Sequence, residues 1–101
     1  MEYIIVEKGE TIHSIAKVFN VKEYKLLIYN DLINPILLEE GQYLFLSKKK
    51  SKGVTSEYIV QKGDTMYQIA QKQGIRIHKL YQLNQMKYGE EPQIYRVLNL
   101  Q

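Results

Sequence analysis

Shifted by 54 residues, the chain matches itself. Ile5-Val6-Glu7-Lys8-Gly9-Glu10-Thr11 falls on Ile59-Val60-Gln61-Lys62-Gly63-Asp64-Thr65, and Ile15-Ala16 falls on Ile69-Ala70. Without a gap, Lys25-Leu26 meets Lys79-Leu80, Asn30 meets Asn84, and Leu44 and Leu46 meet Leu98 and Leu100. Twelve of the 44 positions from Tyr3 to Leu46 are identical, and the identities cluster. A repeat of this kind confines the fold to two copies of one small unit. Each copy has only about 45 residues, which leaves little room for a closed active site. The repeats span 2–47 and 57–101, and the intervening 48–56, rich in Lys, Ser and Gly, reads as a solvated linker.

Each copy predicts the order strand, helix, helix, strand. Tyr3-Ile4-Ile5-Val6 and Tyr58-Ile59-Val60 are β-branched and aromatic runs that stop at Lys-Gly, a strand followed by a turn. Ile12, Ile15, Ala16 and Phe19 then recur at helical spacing, as do Met66, Ile69 and Ala70, with Gln73 in place of Phe19. Thr11 and Thr65 suit the N-cap; Thr65 with Gln68 makes a capping box, and Thr11 with Ser14 a weaker one. Asn20 and Gly74 tolerate the left-handed backbone that ends a helix. Second helices follow over 22–29 and 76–83, with Leu26/Tyr29 and Leu80/Leu83 inward. Loops containing Asn34-Pro35 and Gly89-Glu90-Glu91-Pro92 lead to closing strands at 43–46 and 96–100. The economical packing is α+β: in each unit, a two-stranded antiparallel sheet with two helices on one face.

Charge and composition exclude several functions. The chain has 14 basic and 11 acidic residues, but the excess lies mostly in the linker: residues 2–48 carry −2, 49–56 carry +3 and 57–101 carry +2. Neither unit is basic enough to predict a specific nucleic-acid partner. The absence of cysteine removes disulfides and thiolate chemistry while leaving the compartment open. His13 and His78 have no second ligand at a metal spacing, and no cofactor is expected. Glu39-Glu40 and Glu90-Glu91 are adjacent pairs, whereas glycosidic cleavage needs carboxyls roughly 5–9 Å apart across the bond. The chain reads as a non-enzymatic binding module. It has no apolar stretch long enough to span a membrane and no basic-then-apolar leader. If the protein is exported, its signal has been removed or lies outside this sequence, and Met1 then reads as an expression start.

Val6-x-Lys8-Gly9-Glu10-Thr11-x-x-x-Ile15-Ala16 and Val60-x-Lys62-Gly63-Asp64-Thr65-x-x-x-Ile69-Ala70 resemble the opening of the LysM domain. Leu26-x-x-x-Asn30 and Leu80-x-x-x-Asn84 resemble its second helix, and Glu40-Gly41-Gln42-x-Leu44-x-Leu46 its closing turn and strand. The resemblance implies two βααβ units that bind N-acetylglucosamine-containing glycans, peptidoglycan or chitin, outside the cytoplasm at the cell wall. It places a groove between the first strand–helix loop and the loop after the second helix. In the first copy that groove would use Gly9, Glu10, Thr11 and Ile12, facing Asn30, Asp31, Leu32 and Ile33. In the second it would use Gly63, Asp64, Thr65 and Met66, facing Asn84, Gln85, Met86 and Lys87. The tandem arrangement is also similar to the binding regions of bacterial glucosaminidases, which implies a parent peptidoglycan hydrolase with a linked catalytic domain.

Two departures from the family pattern bear on shape. Tyr95-Arg96 stands where the first copy has Gly41-Gln42, so the last turn of the second copy is expected to differ. Asp31 follows Asn30 where many family members have Pro. Tyr67, Tyr81 and Tyr88 have the non-aromatic counterparts His13, Leu27 and Asn34, which makes them candidates for stacking on a sugar face. Gly9, Gly63, Thr11 and Thr65 are first of all turn and cap residues, a role that coexists with sugar contact through exposed backbone. Two rival readings stand beside glycan binding. One is a protein-interaction or structural module using exposed sheet edges, and the other is polyanion attraction through the Lys run.

Overall fold

The computed structural model describes residues 3–33 and 37–101. The expected Asn34-Pro35 loop lies outside the described residues. The chain divides into two compact units, Met1–Lys49 and Lys50–Gln101. The first contains β1 (Tyr3–Ile5), α1 (Ile12–Phe19), α2 (Glu23–Tyr29) and β2 (Tyr43–Phe45). The second contains β3 (Glu57–Ile59), α3 (Met66–Gln73), α4 (Ile77–Leu83) and β4 (Val97–Asn99). In both units the strands pair antiparallel, Ile4 opposite Leu44 and Tyr58 opposite Leu98. The α+β reading of two βααβ units is correct.

Each core is assembled from the helix residues at apolar spacing, one inward strand residue (Leu44 or Leu98) and apolar residues flanking the elements. Val6, Ile12, Ile15, Ala16, Leu26 and Leu44 close the first; Val60, Met66, Ile69, Ala70, Ile75, Ile77, Leu80, Tyr81, Leu98 and Leu100 close the second. Phe19 departs from expectation. It is the last residue of α1, where no further helical turn follows to cover it, and it is 43% exposed.

Both first helices carry complete capping boxes, including the Thr11/Ser14 pair that the sequence ranks lower. The Ser14 and Gln68 amides donate to Thr11 and Thr65 Oγ1 at 3.0 and 3.1 Å, and the Thr amides donate back to Ser14 Oγ and Gln68 Oε1. Asn20 and Gly74 adopt the left-handed conformation at the far ends, as expected. Asp31 and Gln85 do the same after α2 and α4, at φ +57° and +52°. At all four ends the following amide reaches back to close the last turn, Leu32 to the Leu27 carbonyl and Met86 to that of Tyr81.

The turn before β4 corrects the sequence reading. Tyr95 sits at φ +68° and makes the same bonds as Gly41 at φ +88°. Each donates its amide to a core valine carbonyl at 2.8 Å, Gly41 to Val6 and Tyr95 to Val60. The valine amides return bonds to Gln42 and Arg96. The turn is preserved, and Tyr95 bears the left-handed strain.

The Lys run is only partly solvated. Lys49 is 3% exposed, its Nζ bonded to Asp31 and facing the Phe45 ring at 5.9 Å. Burial pushes the Lys49 ammonium below its usual range, and Asp31 opposes that shift. In the second unit Lys50 bridges to Ile75, and Gly53 donates to the Leu100 carbonyl at 2.7 Å. A Cβ on Gly53 would lie 2.8 Å from Leu100 Cβ, a contact that only glycine avoids.

Candidate functional site

The predicted residues divide by what their side chains already do. Glu10 and Asp64 build the turns they stand in. Glu10 Oε1 accepts from the Glu7 amide at 2.7 Å, and Asp64 Oδ2 accepts from the Gln61 amide at 2.8 Å. Their own amides return to the Glu7 and Gln61 carbonyls. Gly9 and Gly63 occupy the third position of these turns at φ +86° and +85°, with open space around them. A side chain there would be strained and would also cover the backbone, so glycine keeps amides accessible where the chain enters the helix.

Asn30 and Asn84 were expected to face a ligand, but the structure buries both. Asn30 Nδ2 donates to the Leu26 and Phe45 carbonyls at 2.7 and 2.9 Å, and its Oδ1 accepts from the Phe45 amide at 2.7 Å. Asn84 repeats the arrangement with Leu80 and Asn99. These side chains clamp the second helix to the closing strand, and through it they fix where the following loop begins. Asp31 bonds to Lys49, and Arg96 Nη2 donates to the Asn84 carbonyl at 2.9 Å. A cation therefore supports that loop in each unit, from a different point in the chain.

The remaining positions supply surface. Ile12 and Met66 are fully buried at the start of their helices; Leu32 and Met86 pack half-buried against the same two cores. Ile33 is 92% exposed and Lys87 is exposed. Each unit thus brings a Gly-acid-Thr turn with an exposed glycine and a post-helix loop onto one core.

The three tyrosines that the sequence offers for stacking all make contacts within the second unit. Tyr81 is buried, its hydroxyl donating to the Glu90 carbonyl at 2.9 Å, and burial pushes its phenol up. Tyr67 packs half-buried against the second core. Tyr88 is exposed and stacks on His78 with ring centroids 4.8 Å apart. Tyr58 was not singled out from sequence for the site. Its hydroxyl donates to Asp64 Oδ2 at 2.5 Å, and its phenol is pushed up to about 12, by desolvation first and then by the Asp64 carboxylate. The sequence signal is faint: Tyr58 aligns with Ile4, so the repeat offers no counterpart.

Two further contacts lie near the predicted positions. Glu91 Oε1 accepts from the Met66 amide at 3.1 Å, across 25 residues of chain. An open cleft of about 310 Å³ between α1 and α2 is lined by His13, Ala16, Lys17, Asn20, Val21, Lys22 and Glu23, and shares no residue with the predicted groove. His13 Nδ1 lies 2.9 Å from Glu23 Oε2 there, both exposed. Among the described residues no helix is long and apolar enough to cross a membrane, and no cluster of three metal-ligating side chains forms.

The LysM domain family matches residues 4–47 and 58–99. LysM domains are non-catalytic modules that bind peptidoglycan and related N-acetylglucosamine glycans, generally at the extracytoplasmic cell wall. No curated protein sequence matches the chain. Among solved structures, the Bacillus cereus spore cortex-lytic enzyme SleL is similar at 22% identity and TM-score 0.44, covering 99% of this chain and 22% of its own. The Bacillus megaterium QM B1551 spore cortex-lytic enzyme SleL is similar at 26% identity and TM-score 0.42, covering 96% of this chain and 21% of its own. The chain thus spans about a fifth of the length of either structure. With the family pattern matched across both βααβ units, the chain belongs to the LysM domain family and carries two copies of the domain.

Proposed function

We propose that this chain is the glycan-anchoring part of a larger extracytoplasmic protein, a peptidoglycan hydrolase such as a glucosaminidase, and that it holds that protein on peptidoglycan. The groove is taken to run between Gly9–Ile12 and Asn30–Ile33 in the first unit, and between Gly63–Met66 and Asn84–Lys87 in the second. The observation that supports this most is the pairing of an exposed glycine turn with a capped helix start in both units. An N-acetylglucosamine residue presents an amide, hydroxyls and a small methyl. Backbone donors beside apolar side chains suit all three without charge. Asn30 and Asn84 serve the groove as positioning residues, because their side-chain bonds are internal.

The test is co-sedimentation of the 101-residue protein with insoluble peptidoglycan at low and high salt, with chitin in parallel. Neutral contacts predict retention that survives salt, since screening weakens only charge-dependent attraction. Loss of retention on both polymers would overturn the proposal. It would favour the interaction-module reading, which has its own support in the exposed outer sheet residues Tyr3, Ile5, Ile59 and Val97.

A further inference from the structure

We infer that Glu91 determines how the two units differ in glycan affinity, because its carboxylate occupies a backbone donor of the second groove. The inference rests on the proposed groove. The first amide of α3, on Met66, has no partner within its own helix, and in the proposed groove it is the donor that a sugar carbonyl would use. Glu91 Oε1 takes that bond at 3.1 Å. A carboxylate is a stronger acceptor than an acetamido carbonyl, so a sugar must displace it before binding there.

The contact is built in. Gly89, at φ +97°, turns the chain so that Glu90 Oε1 accepts from the Lys87 amide at 3.0 Å and the Glu90 amide returns to the Lys87 carbonyl. Tyr81 holds the Glu90 carbonyl from below. Tyr88 braces the same turn by stacking on His78 and packing against Tyr81 at 5.2 Å. Glu91 follows directly.

None of these side chains recurs at the matching positions of the first repeat. The positions 54 earlier than His78, Tyr81, Tyr88, Gly89, Glu90 and Glu91 are Tyr24, Leu27, Asn34, Pro35, Ile36 and Leu37. Leu37 has no carboxylate to offer the Ile12 amide. Glycan therefore binds the first unit more tightly, and the second engages only as Glu91 gives way.

The experiment is a titration of the nitrogen-15-labelled 101-residue chain with a soluble N-acetylglucosamine tetramer, following the amides of Gly9–Ile12 and Gly63–Met66 by NMR. In the unaltered protein the first-unit amides are expected to reach half-saturation at about tenfold lower sugar than the second-unit amides, the scale of one charge-assisted bond. Glu91→Ala should lower the second midpoint about tenfold and leave the first unchanged, with faster exchange of the Met66 amide before sugar is added. Glu91→Gln, which keeps an acceptor without the charge, should fall between the two. Glu91 is exposed, and unchanged signals from the second core in either variant show that the fold is retained. Equal midpoints in the unaltered protein, or a second midpoint that Glu91→Ala leaves within twofold, would overturn the inference while leaving the groove intact. Failure of every amide to respond in all three proteins would overturn the groove reading, and this inference with it.

Discussion

Asn30 satisfies three backbone groups at once, and that accounts for its burial better than any ligand does. Asn30→Ala should destabilise the first unit by about 3 kcal/mol, because it strands buried donors and acceptors on Leu26 and Phe45. Asn30→Asp should cost at least as much, since a carboxylate aims a second acceptor at two carbonyls. Chemical denaturation followed by first-unit signals checks both, and an aspartate variant as stable as the original would refute the clamp. The repeat showed that Asn30 and Asn84 matter without showing why, because an amide looks the same in sequence whether it meets a sugar or a strand. Tyr58 carries a pH prediction. Its phenol titrates near 12 in the folded unit against about 10 in an unfolded chain. The folded state therefore holds that proton more tightly, and the resulting stability is complete below pH 10 and fades as pH rises toward 12. The stability advantage of the unaltered protein over Tyr58→Phe should shrink across that window. A constant difference would mean that the Asp64 bond contributes nothing through titration.

At the scale of turns and helices, one device recurs. Gly9, Gly41, Gly63, Gly89 and Tyr95 all hold a positive φ at the third position of a turn whose fourth amide bonds back to the first carbonyl. Four are glycine, and the fifth is strained. Tyr95→Gly should stabilise the second unit by about 1 kcal/mol, and Gly41→Ala should destabilise the first by a similar amount. Thermal unfolding of the two variants tests this; a neutral or destabilising Tyr95→Gly would mean that the ring makes contacts worth more than its backbone strain. The helices were legible in sequence because apolar spacing and caps are local signals. Ile12, Ile15, Ala16 and Leu26 lie where their spacing puts them, whereas Phe19, in the last position of the helix, stays exposed despite its spacing. Lys49 was illegible for a different reason. A lysine among lysines reads as solvated charge, and only the fold brings it to Asp31, eighteen residues away.

Whole-molecule behaviour follows from having two units with separate cores, each carrying one of the two proposed grooves. A single small groove offers few contacts and so binds weakly. Tethering two grooves makes the second encounter intramolecular, which raises retention on a long glycan by roughly a hundredfold without any new contact. Fragments 1–49 and 50–101 respect the observed division, and the second keeps the Lys50 and Gly53 bonds that a cut at 57 would remove. Either fragment should bind the sugar tetramer about as well as its own unit does in the intact chain, yet wash off insoluble peptidoglycan far sooner. Because Glu91 holds back the second groove, Glu91→Ala should lengthen retention of the intact chain on polymer and leave fragment 1–49 untouched by definition. Equal retention of the intact chain and fragment 1–49 would show that the first unit alone carries the anchoring. If Glu91→Ala then restored the difference, the second groove would be competent but occupied; if it did not, the second unit would serve the protein in some way other than by binding glycan.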